Sequence, residues 1–166
     1  MHSEAAEWLE KYGTTDPVAV LEIGSLNING SARVHWPNAH WLGIDRQRGP
    51  GVDVVADFLD WQTDNRWDIV VCCEVLEHCA DWQAIIGRVR PLLLQAGCFI
   101  GTCAGPLRTP HSAVDGGPLR PGEYYGNLTA DDLLSGLQAA GFVRVLVHDT
   151  GHDLRWWAAT RAHIGE

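Results

Sequence analysis

The sequence predicts an α/β fold: a doubly wound, mostly parallel sheet that closes in a C-terminal antiparallel hairpin and is trimmed in helices. An apolar run from Val18 to Ile23 stops at Gly24-Ser25, and Gly30 follows before a polar helix start, the pattern of a strand, a tight turn and a helix N-terminus. The stretch from Trp67 to Cys73 is continuously apolar after Asp68, as a central parallel strand buried on both faces requires. Near the C-terminus residues 142–148 form a strand on which Val143, Val145 and Val147 alternate, and residues 154–162 form its partner after a short turn.

The remaining elements fill in around these. Residues 3–12 read as a helix that Ser3 can cap, with Trp8, Leu9 and Tyr12 as its apolar stripe, stopped by Gly13 and Asp16-Pro17. This helix is expected to cover one end of the sheet near a ligand or to serve packing alone. A short helix or turn over 29–35, closed by Trp36-Pro37-Asn38, leads to a strand over 40–44. Only Arg46 to Gly51 separate that strand from the next, over 52–56, too few residues for the usual crossover helix. Asp81 starts a helix with Trp82, Ile85, Ile86 and Val89 on one face, limited by Pro91, and a strand over 98–103 follows. Thr129 caps a last helix over 129–140, Asp131 and Asp132 favour its positive end, and Gly141 ends it.

Length and composition bound the chemistry. A chain of 166 residues is expected to make one domain over 1–166, with room for a sheet and a few helices. The net charge of −9, with Lys11 as the single lysine, argues against a nucleic-acid partner, since phosphate affinity comes mainly from cationic side chains. No apolar run approaches the roughly 20 residues of a membrane span, and the first residues lack a basic segment before an apolar stretch, so a cytoplasmic protein is expected. The five cysteines, Cys72, Cys73, Cys79, Cys98 and Cys103, form no C-x-x-C pair and read as reduced core residues. A monomer or a homodimer is compatible with these features.

The residues that can hold a ligand cluster at predicted strand ends. Glu22 lies two positions before Gly24, and Asp45 ends a second apolar run 21 positions after it, where a carboxylate can accept both hydroxyls of a ribose. A pyrophosphate would need a second glycine at position 26, which is Leu26, so the dinucleotide fingerprint is broken. Residues 104–127 are rich in glycine and proline and carry Arg108, His111, Asp115, Arg120, Glu123, Tyr124 and Tyr125. A connection this long at a strand's carboxyl end reads as a substrate loop, with His111, Tyr124 and Tyr125 as its acceptor contacts.

The segment E-I-G-S-x-x-x-N-G-S, with L-G-I-D and G-P-G-V-D-V-V-A-D after it, resembles class I S-adenosylmethionine-dependent methyltransferases, in particular a branch of the methyltransferase type 11 group. The resemblance runs from about Val18 to Thr160 and implies a Rossmann-like fold, S-adenosyl-L-methionine as cofactor, and a small-molecule or saccharide-like acceptor that is methylated on a hydroxyl or amine. It implies cofactor contacts from Glu22, Gly24, Ser25, Gly30, Asp45, Asp57, Phe58 and Glu74, with Asp57 and Phe58 at the adenine. His78, with an ordinary pKa near 6.5, is the candidate base. The segment C-E-V-L-E-H resembles ubiquinone-biosynthesis O-methyltransferases, and E-x-x-E-H also resembles the metal-binding segment of small-RNA 2′-O-methyltransferases. No metal is expected here; Glu74, Glu77 and His78 are the residues that would hold one, and His111 could supply a further ligand. The alternatives are therefore a metal-assisted RNA 2′-O-methyltransferase, a non-catalytic S-adenosylmethionine-binding protein and, last, a nicotinamide-dependent oxidoreductase.

Overall fold

In the computed structural model, which describes residues 3–160, seven strands form one sheet in the order β3-β2-β1-β4-β5-β7-β6. Helix α1 (Ser3–Glu10) precedes β1 (Ala19–Ile23), β2 (His40–Asp45), β3 (Val54–Val55) and β4 (Trp67–Cys73). Helix α2 (Trp82–Leu92) runs straight into β5 (Leu93–Ala104), and α3 (Ala130–Ala139) leads to β6 (Arg144–Asp149) and β7 (Asp153–Ala159). Strands β1 to β5 pair in parallel, and β7 pairs antiparallel with both β5 and β6.

Period-2 alternation sorts the strand residues onto two unequal layers. Val70 and Cys72 of β4, Phe99 of β5 and Trp156 of β7 face α2 and α3, where Ile86, Val89, Leu133 and Leu137 are fully buried. Full burial of each such side chain contributes roughly 1.5–3 kcal/mol. Val20, Ile69, Val71 and Ile100 face the other way and are covered by Trp8 and Leu9 of α1 and by Ala32 and Trp36 around the 3-10 turn at Ala32–His35. The winding reverses between β1 and β4, so a crevice opens at their carboxyl ends, the switch point at which open α/β sheets take ligands.

Several boundaries differ from those the sequence predicts. Strand β3 keeps only Val54–Val55 of 52–56, paired with Ile44 and Asp45 of β2. Strand β5 begins at Leu93 rather than 98, since Pro91 in the last turn of α2 removes a backbone donor and the chain turns extended immediately. Phe142 belongs to the core behind α3 rather than to β6. Helix α1 ends at Glu10 and lies on a sheet face, where the Trp8 indole donates to the Trp156 carbonyl at 3.0 Å, instead of covering the sheet end near the crevice. Strand β7 ends at Ala159; the predicted continuation to Ala162 includes Arg161 and Ala162, which lie outside the described residues.

Candidate functional site

The crevice at the switch point deepens into a cavity of about 920 Å³. Its walls come from the carboxyl ends of β1, β2 and β4, from the short β3 turn, and from residues 108–118, which arch over it. The volume lies near the upper end of the range for small-molecule sites, about 300–1,000 Å³.

The glycine turn forms one wall. Gly24 has φ +74°, and a Cβ there would stand 2.2 Å from Val75 Cγ2, so only glycine fits between the turn and the end of β4. The amides of Gly24 and Ser25 both donate to the Ile44 carbonyl, at 2.9 and 3.2 Å, which ties the turn to β2. Ser25 is buried and is not among the cavity-lining residues, whereas Gly30, at φ +131° and held by the Asn27 side chain at 2.9 Å, is.

Carboxylates mark the rim. Glu22 is 8% exposed, and its Oε2 is buried without a hydrogen-bond partner, 3.8 Å from Arg33 Nε. Burial pushes its carboxyl up to about 7 against the pull of Arg33. Asp45 accepts from the Leu26 amide at 3.1 Å and the Gln47 amide at 2.8 Å, so it shapes the glycine turn while keeping further lone pairs for a ligand. Asp57 accepts from the Leu59 amide at 2.9 Å and pairs with Arg46, and Phe58 lies beside it in the lining.

The other end of the cavity is built around Glu74, which ends β4 in the left-handed region at φ +57°, a conformation that side chains other than glycine adopt at a cost. The Glu74 amide donates to the Thr102 carbonyl at 2.7 Å, and the Thr102 hydroxyl donates to Glu74 Oε1 at 2.7 Å. Arg108 stands 3.8 Å from Glu74 Oε2 and pairs with Asp153 of β7, which pins the start of the loop over the cavity. The return of that loop is fixed as well. Asn127 Nδ2 donates to the carbonyls of Gly105 and Arg108 at 2.6 and 2.8 Å, and the Gly126 amide donates to the Glu77 carbonyl at 2.8 Å.

Below this strap three polar side chains meet. Glu77 is fully buried; its Oε1 accepts from the Ala104 amide at 3.2 Å and its Oε2 has no partner. Burial and the neighbouring Glu74 raise its carboxyl well above the usual range. His78 lies next to His111, ring centroids 5.1 Å apart, and burial together with His111 lowers its imidazole to about 4. It is therefore neutral at pH 7. Tyr125 packs edge-on against both rings, at 5.2 and 5.0 Å.

Of the residues the sequence singles out, Glu22, Gly24, Gly30, Asp45, Asp57, Phe58, Glu74, His78 and His111 line one cavity. Tyr124, 46% exposed, and Tyr125, behind the two imidazoles, are not among the lining residues, and neither is Glu77. Sequence reading missed Arg46, Val75, Cys79 and the depth at which Arg108 reaches the site. The position of Arg108 shortly after a strand's carboxyl end was the available signal; its Asp153 partner, 45 residues on, was not readable.

No protein-family model matches the chain, and no curated protein matches it in sequence. Solved structures do match its fold. A DhpI-SAH complex superposes with a TM-score of 0.71 at 20% identity over 94% of this chain and 82% of that one. The Burkholderia thailandensis 1,6-didemethyltoxoflavin-N1-methyltransferase, with 1,6-didemethyltoxoflavin and S-adenosylhomocysteine bound, gives 0.69 at 17% identity over 95% and 76%. An S-adenosylmethionine-dependent methyltransferase from Mesorhizobium loti gives 0.68 at 17% identity over 93% and 98%. With β7 inserted antiparallel between β5 and β6 and the crevice at β1 and β4, the chain has the Rossmann-like fold of class I S-adenosylmethionine-dependent methyltransferases.

Proposed function

We propose that the chain binds S-adenosyl-L-methionine in this cavity and transfers its methyl group to a hydroxyl or amine of a small-molecule acceptor. The observation that carries the reading is the joint placement of the Gly24 turn, Asp45 and Glu22 on one cavity at the switch point. Two of the similar structures are complexes with SAH or S-adenosylhomocysteine, and one of them also holds its small acceptor.

In this reading Asp45 accepts the ribose hydroxyls, and Asp57 and Phe58 meet the adenine. Glu22, Gly24, Gly30 and Glu74 border the methionine part, with Glu22 offering its unpartnered Oε2 to the cationic end. The acceptor enters beneath residues 108–118, next to His78 and His111. Transfer is an in-line displacement at carbon: the acceptor atom bonds the methyl as the S–CH3 bond breaks, and the sulfonium leaves as a neutral thioether. The protein's work is to align the two and exclude water. The single domain, the cytoplasmic location and the contact roles belong to the same proposal.

Calorimetric titration with S-adenosylmethionine and S-adenosylhomocysteine tests it. Wild-type protein is expected to bind both, and Asp45→Asn to weaken binding about tenfold or more with a modest fall in Tm, since the single amide oxygen can accept from only one of the two loop amides that Asp45 Oδ1 and Oδ2 hold. No binding of either nucleoside by the wild type overturns the reading. Binding with no methyl transfer across a broad acceptor screen favours a non-catalytic holder.

A further inference from the structure

We infer that the methyl acceptor is an uncharged, planar and largely apolar ring compound that carries its hydroxyl or amine on one edge, and not a saccharide; this rests on the reading of the same cavity as the methyl-transfer site. At about 920 Å³, near the top of the range for one small-molecule ligand, the cavity has room for a nucleoside and a second, smaller molecule. Two walls set the character of that second space.

One wall follows the parallel strands. Ile28, in the turn after β1, is 45% exposed and lines the cavity, and Val75, just past β4, lines it half-buried. The other wall is the strap over 108–118, which contributes Pro110, Ala113 and Pro118, all exposed. Single exposed apolar side chains are ordinary on a protein surface, but five that line one concavity mark a surface that a ligand covers. Two of the five are prolines, whose rings lock the backbone φ. A wall held this way loses little entropy on binding, and a flat, rigid ring that loses equally little is the ligand that suits it.

The polar side chains of the strap are turned to one another. Ser112 Oγ donates to Glu123 at 2.7 Å and accepts from the Val114 amide at 3.1 Å. Glu123 also accepts from the Arg120 amide at 2.8 Å, while Asp115 accepts from the Gly117 amide at 3.0 Å and pairs with the Arg120 guanidinium at 2.6 Å. Neither Asp115 nor Glu123 lines the cavity. A sugar carries hydroxyls around its whole ring, and each one taken out of water needs a partner. The strap has spent on itself the carboxylates that would serve. Charge is spent in the same way: Arg108 is held by Asp153 and stands 3.8 Å from Glu74, so a charged acceptor would have to displace a pair already made. Asn29 and Thr109 line the same cavity and suffice to orient one polar substituent.

The test is calorimetric titration of the full-length protein, with and without S-adenosylhomocysteine, using naphthol, hydroxycoumarin and aniline as planar probes and methyl glucoside as the saccharide. At least one planar probe is expected to bind at one equivalent, about tenfold or more tighter than methyl glucoside. Ile28→Asp and Ala113→Asp, one on each wall and both at exposed positions, are each expected to weaken that binding at least about tenfold, with Tm and S-adenosylhomocysteine affinity preserved. Methyl glucoside binding as tightly as the best planar probe, no binding by any planar probe, or unchanged planar-probe affinity in either variant overturns the proposal. The nucleoside titration separates the two ideas. S-adenosylhomocysteine binding without selective planar-probe binding sinks the acceptor class alone; selective planar-probe binding to a protein that takes no nucleoside sinks the cofactor reading, while the cavity's preference for planar apolar rings stands.

Discussion

Glu22 occupies the last-but-one position of β1, where parallel pairing on both sides fixes its backbone and burial surrounds its side chain. Its folded value of about 7 lies above its ordinary 4.5, so the folded protein keeps a proton that the unfolded chain releases between those values. The contribution of Glu22 to the stability of the ligand-free protein is therefore fully present below about pH 4.5 and falls as pH rises through 7, by up to about 3 kcal/mol. Urea denaturation between about pH 5 and pH 8 checks this: Glu22→Gln is expected to flatten the decline, and an unchanged slope contradicts the assignment. A cationic ligand meets an ionised Glu22 at the upper end of that window, so its affinity is expected to rise where the stability of the free protein falls. At this scale the sequence placed the acid beside the turn but did not reveal its charge state, which depends on burial and, against it, on Arg33, brought alongside by the 3-10 turn.

The element that most shapes the site is the connection between β5 and α3. Its composition announced a loop, yet the structure makes it a strap fastened at both ends, by Arg108 to Asp153 and by Asn127 to two carbonyls. Within it, Ser112 donates to Glu123 at 2.7 Å, and the Arg120 amide donates to the same carboxylate at 2.8 Å. Asn127→Ala leaves the Gly105 and Arg108 carbonyls without this partner and is expected to cost about 1–3 kcal/mol. The loss is local, so limited proteolysis within residues 108–124 is expected to accelerate more than global unfolding, and the acceptor KM to rise more than kcat falls. Equal protease resistance in variant and wild type would count against the strap. These fastenings join residues 19 to 45 positions apart, a separation at which composition carries no information.

At the scale of the molecule, three α-helices among the described residues cover a seven-stranded sheet, and the crevice is bounded on one side by turns where fuller versions of the fold place helices. None of the helices among the described residues is long and apolar enough to cross a membrane. A ligand that bridges the β1, β2 and β4 ends is expected to stabilise the chain as a unit. S-adenosylhomocysteine at a hundredfold excess over its Kd is expected to add about 2.7 kcal/mol, or roughly 5–10 °C in Tm, and a scanning-fluorimetry series without a concentration-dependent shift would contradict this. The sequence by itself determined the fold class, the nature of each strand, the Gly24 turn and the Thr129 cap. Those are local: they follow from hydrophobic period, from a glycine's access to positive φ, and from a hydroxyl three residues before an amide. Only the tertiary structure decided that Glu77 is buried, that Glu74 turns to Thr102 and Arg108, that Tyr124 and Tyr125 stand off the cavity wall, and that His111 meets His78. Each of these depends on a partner from a distant element, and both burial and protonation are set by the neighbours that packing supplies.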